Sequence, residues 1–311
     1  MKLTRLNVKF CLAIFSVIAL AGLPGHSWGV SYTFSEFTVG IPDSGFITPF
    51  GISNDGTVVG RTENAAFIQQ KNAPAISLGS GNGWTASSAA YGVSSDSGKV
   101  VGFYNGASAM GSFIYQGSAS TLSLGFTVTP EAGARGVNIY GTIVGYKAIG
   151  SPTVDYESFV RTSGGSITWL SFDGWSDLQA YAINNSGTIV GQGKYNGSNQ
   201  AFVYNGSTIA ALAVAGITDA QATGINNSGQ IVGFGNEGAF LCDNGTCTVI
   251  SANGWSNLQV WGINDAKTIV GVGDQGAFTG TPVAPVPLPA PLLLLSSGLA
   301  FVAGLRRKYR K

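Results

Sequence analysis

The chain has 311 residues, 46 of them glycine, with only 10% charged residues and a formal net charge of +1. The ends distort that charge: Lys2, Arg5 and Lys9 open the chain and five basic residues crowd its last six positions, so the body sets 8 basic residues against all 15 carboxylates, a net of about −7. Such an acidic, lysine-poor body argues against a phosphate-backbone binder, and nothing in the chain resembles a long amphipathic helix.

In chain order, residues 1–29 read as a secretory signal peptide: Lys2, Arg5 and Lys9 precede the apolar run Phe10 to Leu23, and small and polar residues follow. The only histidine, His26, lies in that segment, so cleavage near Gly29 leaves no histidine. Histidine-assisted serine or cysteine nucleophiles and histidine metal sites are thereby excluded. Next comes the strand-like Tyr32 to Val39, with no hairpin partner of its own.

Residues 30–280 form one domain of six repeats. The units are GISNDGTVVG from Gly51, GVSSDSGKVVG from Gly92, GVNIYGTIVG from Gly136, AINNSGTIVG from Ala182, GINNSGQIVG from Gly224 and GINDAKTIVG from Gly262. Their closing glycines, Gly60, Gly102, Gly145, Gly191, Gly233 and Gly271, are spaced by 38 to 46 residues, the regime of four-stranded propeller blades. Each unit reads as strand, tight Asn/Asp/Ser/Gly turn, strand. A third strand carries Phe67, Phe113, Phe159, Phe202, Phe240 or Phe278, and a fourth follows in five copies. The sixth lacks it, because after Phe278 the chain runs into a Pro-rich linker, residues 281–290. The expectation is an all-β, six-bladed β-propeller of four-stranded blades, closed where Tyr32 to Val39 completes the last blade and removes the open edge.

In an exported chain, Cys242 and Cys247, bracketing the turn Asp243 to Thr246, are expected to form a disulfide; two unpaired thiols are the alternative. The second-to-third-strand loops and the crossovers between repeats share one face, which holds ten of the 15 carboxylates, Asp173 and Asp177 among them. Three crossovers carry Gly-Trp, at Trp84, Trp175 and Trp255. Flat indoles suit the apolar faces of sugar rings, so Trp84, Trp175, Trp255, Asp173 and Asp177 are the candidate ligand-binding residues. The competing reading makes each indole a wedge between blades, as Ile217 at the matching place in another copy suggests. No catalytic residue, metal ligand or cofactor is expected. Turn chemistry explains the polar hairpins, and a cation on the acidic face would be calcium.

The carboxyl end has three parts: Val286-Pro287-Leu288-Pro289-Ala290, then the apolar run from Pro291 to Leu305, then Arg306-Arg307-Lys308-Tyr309-Arg310-Lys311. Such a stretch just spans a bilayer, with the basic cluster on the cytoplasmic side, so residues 291–311 are expected to be a transmembrane helix and tail. The three parts together resemble the VPLPA variant of the PEP-CTERM sorting signal of Gram-negative exopolysaccharide producers. That resemblance implies an exosortase-type processing enzyme as partner, cleavage near the motif, and passage from an inner-membrane-anchored precursor to the cell surface or matrix. The body resembles the HAF family of extracellular repeat proteins, whose units read G-I-N-x-x-G-x-I-V-G followed by H-A-F. Here Ala65, Gln200, Gly238 and Gly276 stand before Ala-Phe, so no role of that histidine carries over.

Two functions fit. One is a non-enzymatic surface or matrix module binding exopolysaccharide or a surface protein. The other is a glycan-cleaving propeller enzyme with paired carboxylates.

Overall fold

The computed structural model describes residues 30–283 apart from 42–44, 80–83, 85–86, 107–108, 130–131 and 151–154. The expected signal peptide, the VPLPA motif and the apolar carboxyl-terminal run lie outside the described residues. Among the described residues there is no helix, and so none long and apolar enough to cross a membrane.

The repeat folds locally as its turn chemistry dictates. In the fifth repeat the strands Gln221–Ile225 and Ile231–Gly235 flank a turn in which Gly229 takes φ +79°. There the Asn226 amide oxygen accepts the Gln230 N–H at 2.9 Å. The third strand, Gly238–Asp243, and the fourth, Thr246–Ser251, follow. In every repeat the phenylalanine lies directly opposite the closing glycine, as in Gly60 with Phe67, Gly191 with Phe202 and Gly271 with Phe278. A side chain on Gly191 would fall 2.0 Å from the Gln179 carbonyl and 2.8 Å from the Phe202 ring. The glycine therefore lets the ring lie flat over the sheet, and all six rings are fully buried.

Four repeats form four-stranded antiparallel sheets whose first strands are Ile47–Ile52, Ala89–Val93, Gly133–Val137 and Trp175–Ile183. The fifth and sixth share one eight-stranded sheet. This corrects the expectation of six separate blades. Val30–Glu36 pairs antiparallel with Gly276–Pro282 through Tyr32 to Glu36, and Phe34 stacks on Phe278 at 4.1 Å. Its first two residues reach further and pair parallel with Ile250 and Ser251, joining the two repeats. The strand also ends earlier than expected, at Glu36, because Phe37 and Val39 turn into the core of the first repeat.

The sheets are arranged like propeller blades around an axis. Apolar clusters fill the space between neighbours, for example Val59, Ile68 and Leu78 of the first repeat against Ala90, Val100 and Phe113 of the second. The last interface joins Val270 to Ile52, Val58 and Phe67, so the sixth repeat packs on the first. At the axis the opening glycines nearly touch: a Cβ on Gly92 would lie 2.9 Å from the Gly136 Cα, and one on Gly262 3.1 Å from the Gly51 Cα. Buried asparagines bridge successive turns as well. Asn138, Asn184, Asn226 and Asn264 donate through Nδ2 to the carbonyls of Asn184, Asn226, Asn264 and Ser53 at 3.0 to 3.3 Å.

Candidate functional site: the axial cavity

Each first strand turns one side toward the axis, so the residue before the opening glycine points inward. These residues are Phe50, Tyr91, Arg135, Tyr181, Thr223 and Trp261. With Thr48, Arg61, Tyr146, Gln221, Gln259 and Val272 they line a cavity of about 380 Å³. That volume suits a small ligand. Crossovers enter the first strands at the Thr48, Gln221 and Gln259 end, so this end faces the crossover side, and its rim residues Arg61 and Gln259 are exposed.

The axis narrows toward the other end. Below the glycines, Ile52, Val93, Val137, Ile183, Ile225 and Ile263 surround a space of only about 60 Å³. A polar girdle follows. The backbone N–H groups of Ile139, Asn185, Asn227 and Asp265 donate to the side-chain oxygens of Asn185, Asn227, Asp265 and Asn54 at 2.7 to 3.3 Å. Asn54 N–H donates to the Ser95 carbonyl at 2.9 Å, and Lys99 Nζ to the Ile139 carbonyl at 2.9 Å, which completes the circle. Asn185 also reaches inside the circle to Ser95 Oγ, at 3.0 Å.

Ring contacts run round most of the cavity wall. Trp261 meets Phe50 edge-on at 5.4 Å, Phe50 meets Tyr91 at 5.1 Å, and the Arg135 guanidinium lies 3.8 Å from the Tyr91 ring and 4.9 Å from that of Tyr146. Burial pushes the Tyr181 hydroxyl well above its ordinary pKa, so it stays protonated and donates to Gln179 Oε1 at 3.0 Å. Thr223 interrupts the aromatic wall. Its hydroxyl donates to the Val260 carbonyl at 2.6 Å, and its small side chain leaves room between Tyr181 and Trp261. The buried indole N–H of Trp261 has no hydrogen-bond acceptor.

None of the candidates read from the sequence lines this cavity. Trp84, Trp175 and Trp255 belong to alternate repeats, are half-buried, and pack on Phe113, Phe202 and Phe278 of their own repeats at 4.8, 5.9 and 5.5 Å. Trp175 covers Gly193 and Trp255 covers Gly273, the slot that Ile217 fills over Gly235. The indoles sit where a wedge would, and they do not converge.

Asp177, at φ +51° in a bulge of its strand, accepts the Tyr156 N–H of the preceding repeat at 3.2 Å and pairs with Lys194 at 2.6 Å. Burial opposes its ionisation, but the Lys194 hydrogen bond and the Tyr156 N–H outweigh that and hold its pKa below the ordinary carboxylate value. Asp173 is exposed and lies apart from it on the crossover. Asp219, Glu237 and Asp274 are likewise engaged with the backbone or polar side chains around them: Asp219 accepts from Asn199 and Asn236, Glu237 from Thr218, and Asp274 from Ser256. Asp219 and Glu237 share a neighbouring groove of about 510 Å³. Among the described residues no group of three or more His, Cys, Asp or Glu could hold a metal ion. Cys242 and Cys247 lie directly opposite each other across the third and fourth strands and are joined by a disulfide.

The axial residues carried a signal in the sequence. Around the Gly-Ile-Asn unit most positions repeat, whereas the residue before the opening glycine is Phe, Tyr, Arg, Tyr, Thr or Trp in turn. A repeated scaffold with one varied, mostly bulky position is the pattern of a ligand-facing ring.

No protein-family model matches the chain, and no curated protein matches it in sequence. Among solved structures, a gluconolactonase of Xanthomonas campestris is 11% identical and similar at a TM-score of 0.50, over 77% of this chain and 87% of its own. TolB of Acinetobacter baumannii is 11% identical at a TM-score of 0.48, over 91% and 71% of the two chains. The β-propeller domain of the Trilobed protease of Pyrococcus furiosus, described as having an open velcro topology, is 10% identical at 0.46, over 79% and 97%. At such identities the likeness to the gluconolactonase speaks to fold alone: this chain has an all-β, propeller-like architecture.

Proposed function

We propose that the chain is an exported, non-enzymatic glycan-binding module of the cell surface or extracellular matrix. In this reading it is a six-bladed propeller, the eight-stranded sheet counting as two blades that Val30–Glu36 bridges. The observation that carries the binding role is the axial cavity, aromatic-walled and opening on the irregular crossover face, on a scaffold whose axis narrows between aliphatic side chains at its other end. Rigid aromatic walls with a few amides and hydroxyls at the rim suit a sugar ring, which offers an apolar face and a hydroxyl edge. The tail from Val286 to Lys311 serves in this reading as the exosortase sorting signal. The surface-released protein should then end near Val286 to Ala290 by intact mass, and recovery only as a membrane-held chain retaining Arg306 to Lys311 would leave a plain anchor.

Enzymatic glycan cleavage is the second reading, favoured by the shared groove of Asp219 and Glu237. Hydrogen bonds from the Thr218 N–H and hydroxyl lower the Glu237 pKa, whereas a general acid needs it raised. The two readings separate in one assay: purified protein incubated with the producer's exopolysaccharide, scored for retention and for release of shortened chains. Retention without cleavage supports the binding module, and new chain ends that vanish in Glu237→Gln would replace it with the enzyme.

A further inference from the structure

Within the glycan-binding reading, we propose that the axial cavity takes the terminal residue of a polysaccharide chain or branch, and that this residue is an acidic, carboxylate-bearing sugar. Shape supplies the first half. A chain interior must enter and leave its site, but this cavity narrows to about 60 Å³ between aliphatic side chains and ends at the polar girdle around Asn185 and Ser95. Only an end fits, and about 380 Å³ accommodates one sugar ring rather than a stretch of polymer.

Charge supplies the second half. The body is acidic, with a net of about −7, yet the residues lining the cavity include Arg61 and Arg135 and no carboxylate. Arg135 is half-buried and held by the Tyr91 and Tyr146 rings, so its charge is largely oriented before binding. The Trp261 indole lines the same cavity and its buried N–H has no acceptor within the protein; a small turn of the indole toward the cavity would let a carboxylate supply one while the sugar ring lies against the aromatic wall. The acidic surface outside repels polyanions, so an acidic polymer is admitted by its end and not along its length.

The test uses the mature chain and three probes: sodium glucuronate, glucose, and oligogalacturonides of graded length. Quenching of intrinsic tryptophan fluorescence and calorimetry read binding. Glucuronate should bind about ten- to a hundredfold more tightly than glucose, the factor expected for a charge-assisted hydrogen bond. Saturation with oligogalacturonides should follow the concentration of chain ends and not of residues. Trp261→Phe, which keeps an aromatic face and removes the N–H, and Arg61→Gln at the exposed rim should each weaken glucuronate binding, Arg61→Gln at an unchanged melting temperature. Equal affinity for glucose and glucuronate, binding that follows total residues, or no effect of either variant would overturn the proposal. Retention of the producer's exopolysaccharide that excess glucuronate fails to release would overturn it while leaving the glycan-binding reading intact. Glucuronate binding without retention of any polysaccharide would overturn the glycan-binding reading and with it the chain-end assignment, leaving a site for a free acidic sugar.

Discussion

The two ends of the axis are built from the same six strands, yet one is locked and the other open. At the hairpin end the residues repeat, and repetition lets each turn reach the next: the motif asparagine caps its own turn with Oδ1 and donates to the neighbouring repeat with Nδ2. Repeats one and two carry Ser53 and Ser94 instead. Their hydroxyls still cap the turn, accepting from Thr57 and Lys99 N–H at 3.1 and 2.9 Å, but are too short to cross to the next repeat. The link there passes to Asn54 N–H and to Lys99 Nζ. At the crossover end the inward residues differ from repeat to repeat, no such circle forms, and a cavity remains. Regularity seals a ring, and irregularity at one position opens it.

That contrast can be broken most forcefully away from the axis, in the slot on the crossover side. Trp175→Ala should cost about 3 to 5 kcal/mol, because the indole fills space against Phe202 and over Gly193. Thermal denaturation would show it. A variant of near-native stability that loses polysaccharide retention would restore Trp175 as a ligand contact. Next comes the locked end. Asn226→Ala removes a buried cap and a buried cross-repeat bond together and is expected to cost about 2 to 3 kcal/mol. Asn226→Ser, imitating the first two repeats, should recover part of that loss in chemical denaturation, and an equal loss in both variants would deny the cap any share.

A smaller effect is expected in acid beside the girdle, in the turn of the first repeat. Burial pushes the Asp55 carboxyl up, but hydrogen bonds from Ser53, the Thr57 N–H and Ser97 prevail and hold it at about 2 against an ordinary 3.8. The folded state therefore holds this proton less tightly than the unfolded chain. The stability it contributes is fully present above about pH 3.8 and is lost as pH falls through about 2. Asp55→Asn should flatten that limb of the stability curve, and an unchanged slope between pH 4 and pH 2 would exclude Asp55 as its source. The smallest change belongs to the open end. Gln259→Ala sits at an exposed rim and should move stability by under about 0.5 kcal/mol, so a loss above 1 kcal/mol would show that the rim is scaffold as well.

Much of this architecture was legible in the residues themselves. Six glycines at near-regular spacing, each followed by a buried phenylalanine, can only repeat one packing unit, because the ring and the missing side chain answer each other across a strand pair. The turns, the third strands and the pairing partner of the amino-terminal segment follow from the same arithmetic of period and edge. The candidate site followed less well. An indole after a glycine looks identical in sequence whether it faces a ligand or its own blade, and only the position of Phe113, Phe202 and Phe278 decides which. The acids of the crossover face likewise looked available, until Asp177, Glu237 and Asp274 were found engaged with Lys194, Thr218 and Ser256.

What the sequence determined by itself is therefore the repeat: strand, capped turn, strand, and a phenylalanine over glycine, all fixed by contacts within some forty residues. What only the tertiary structure decided is what six such units enclose. Phe50 and Trp261 are more than two hundred positions apart, as are Asn54 and Asp265, and local propensity carries no information about their meeting. Packing the sixth repeat on the first brings them together, and the same arrangement that narrows the axis below Gly51 and Gly262 leaves a cavity above.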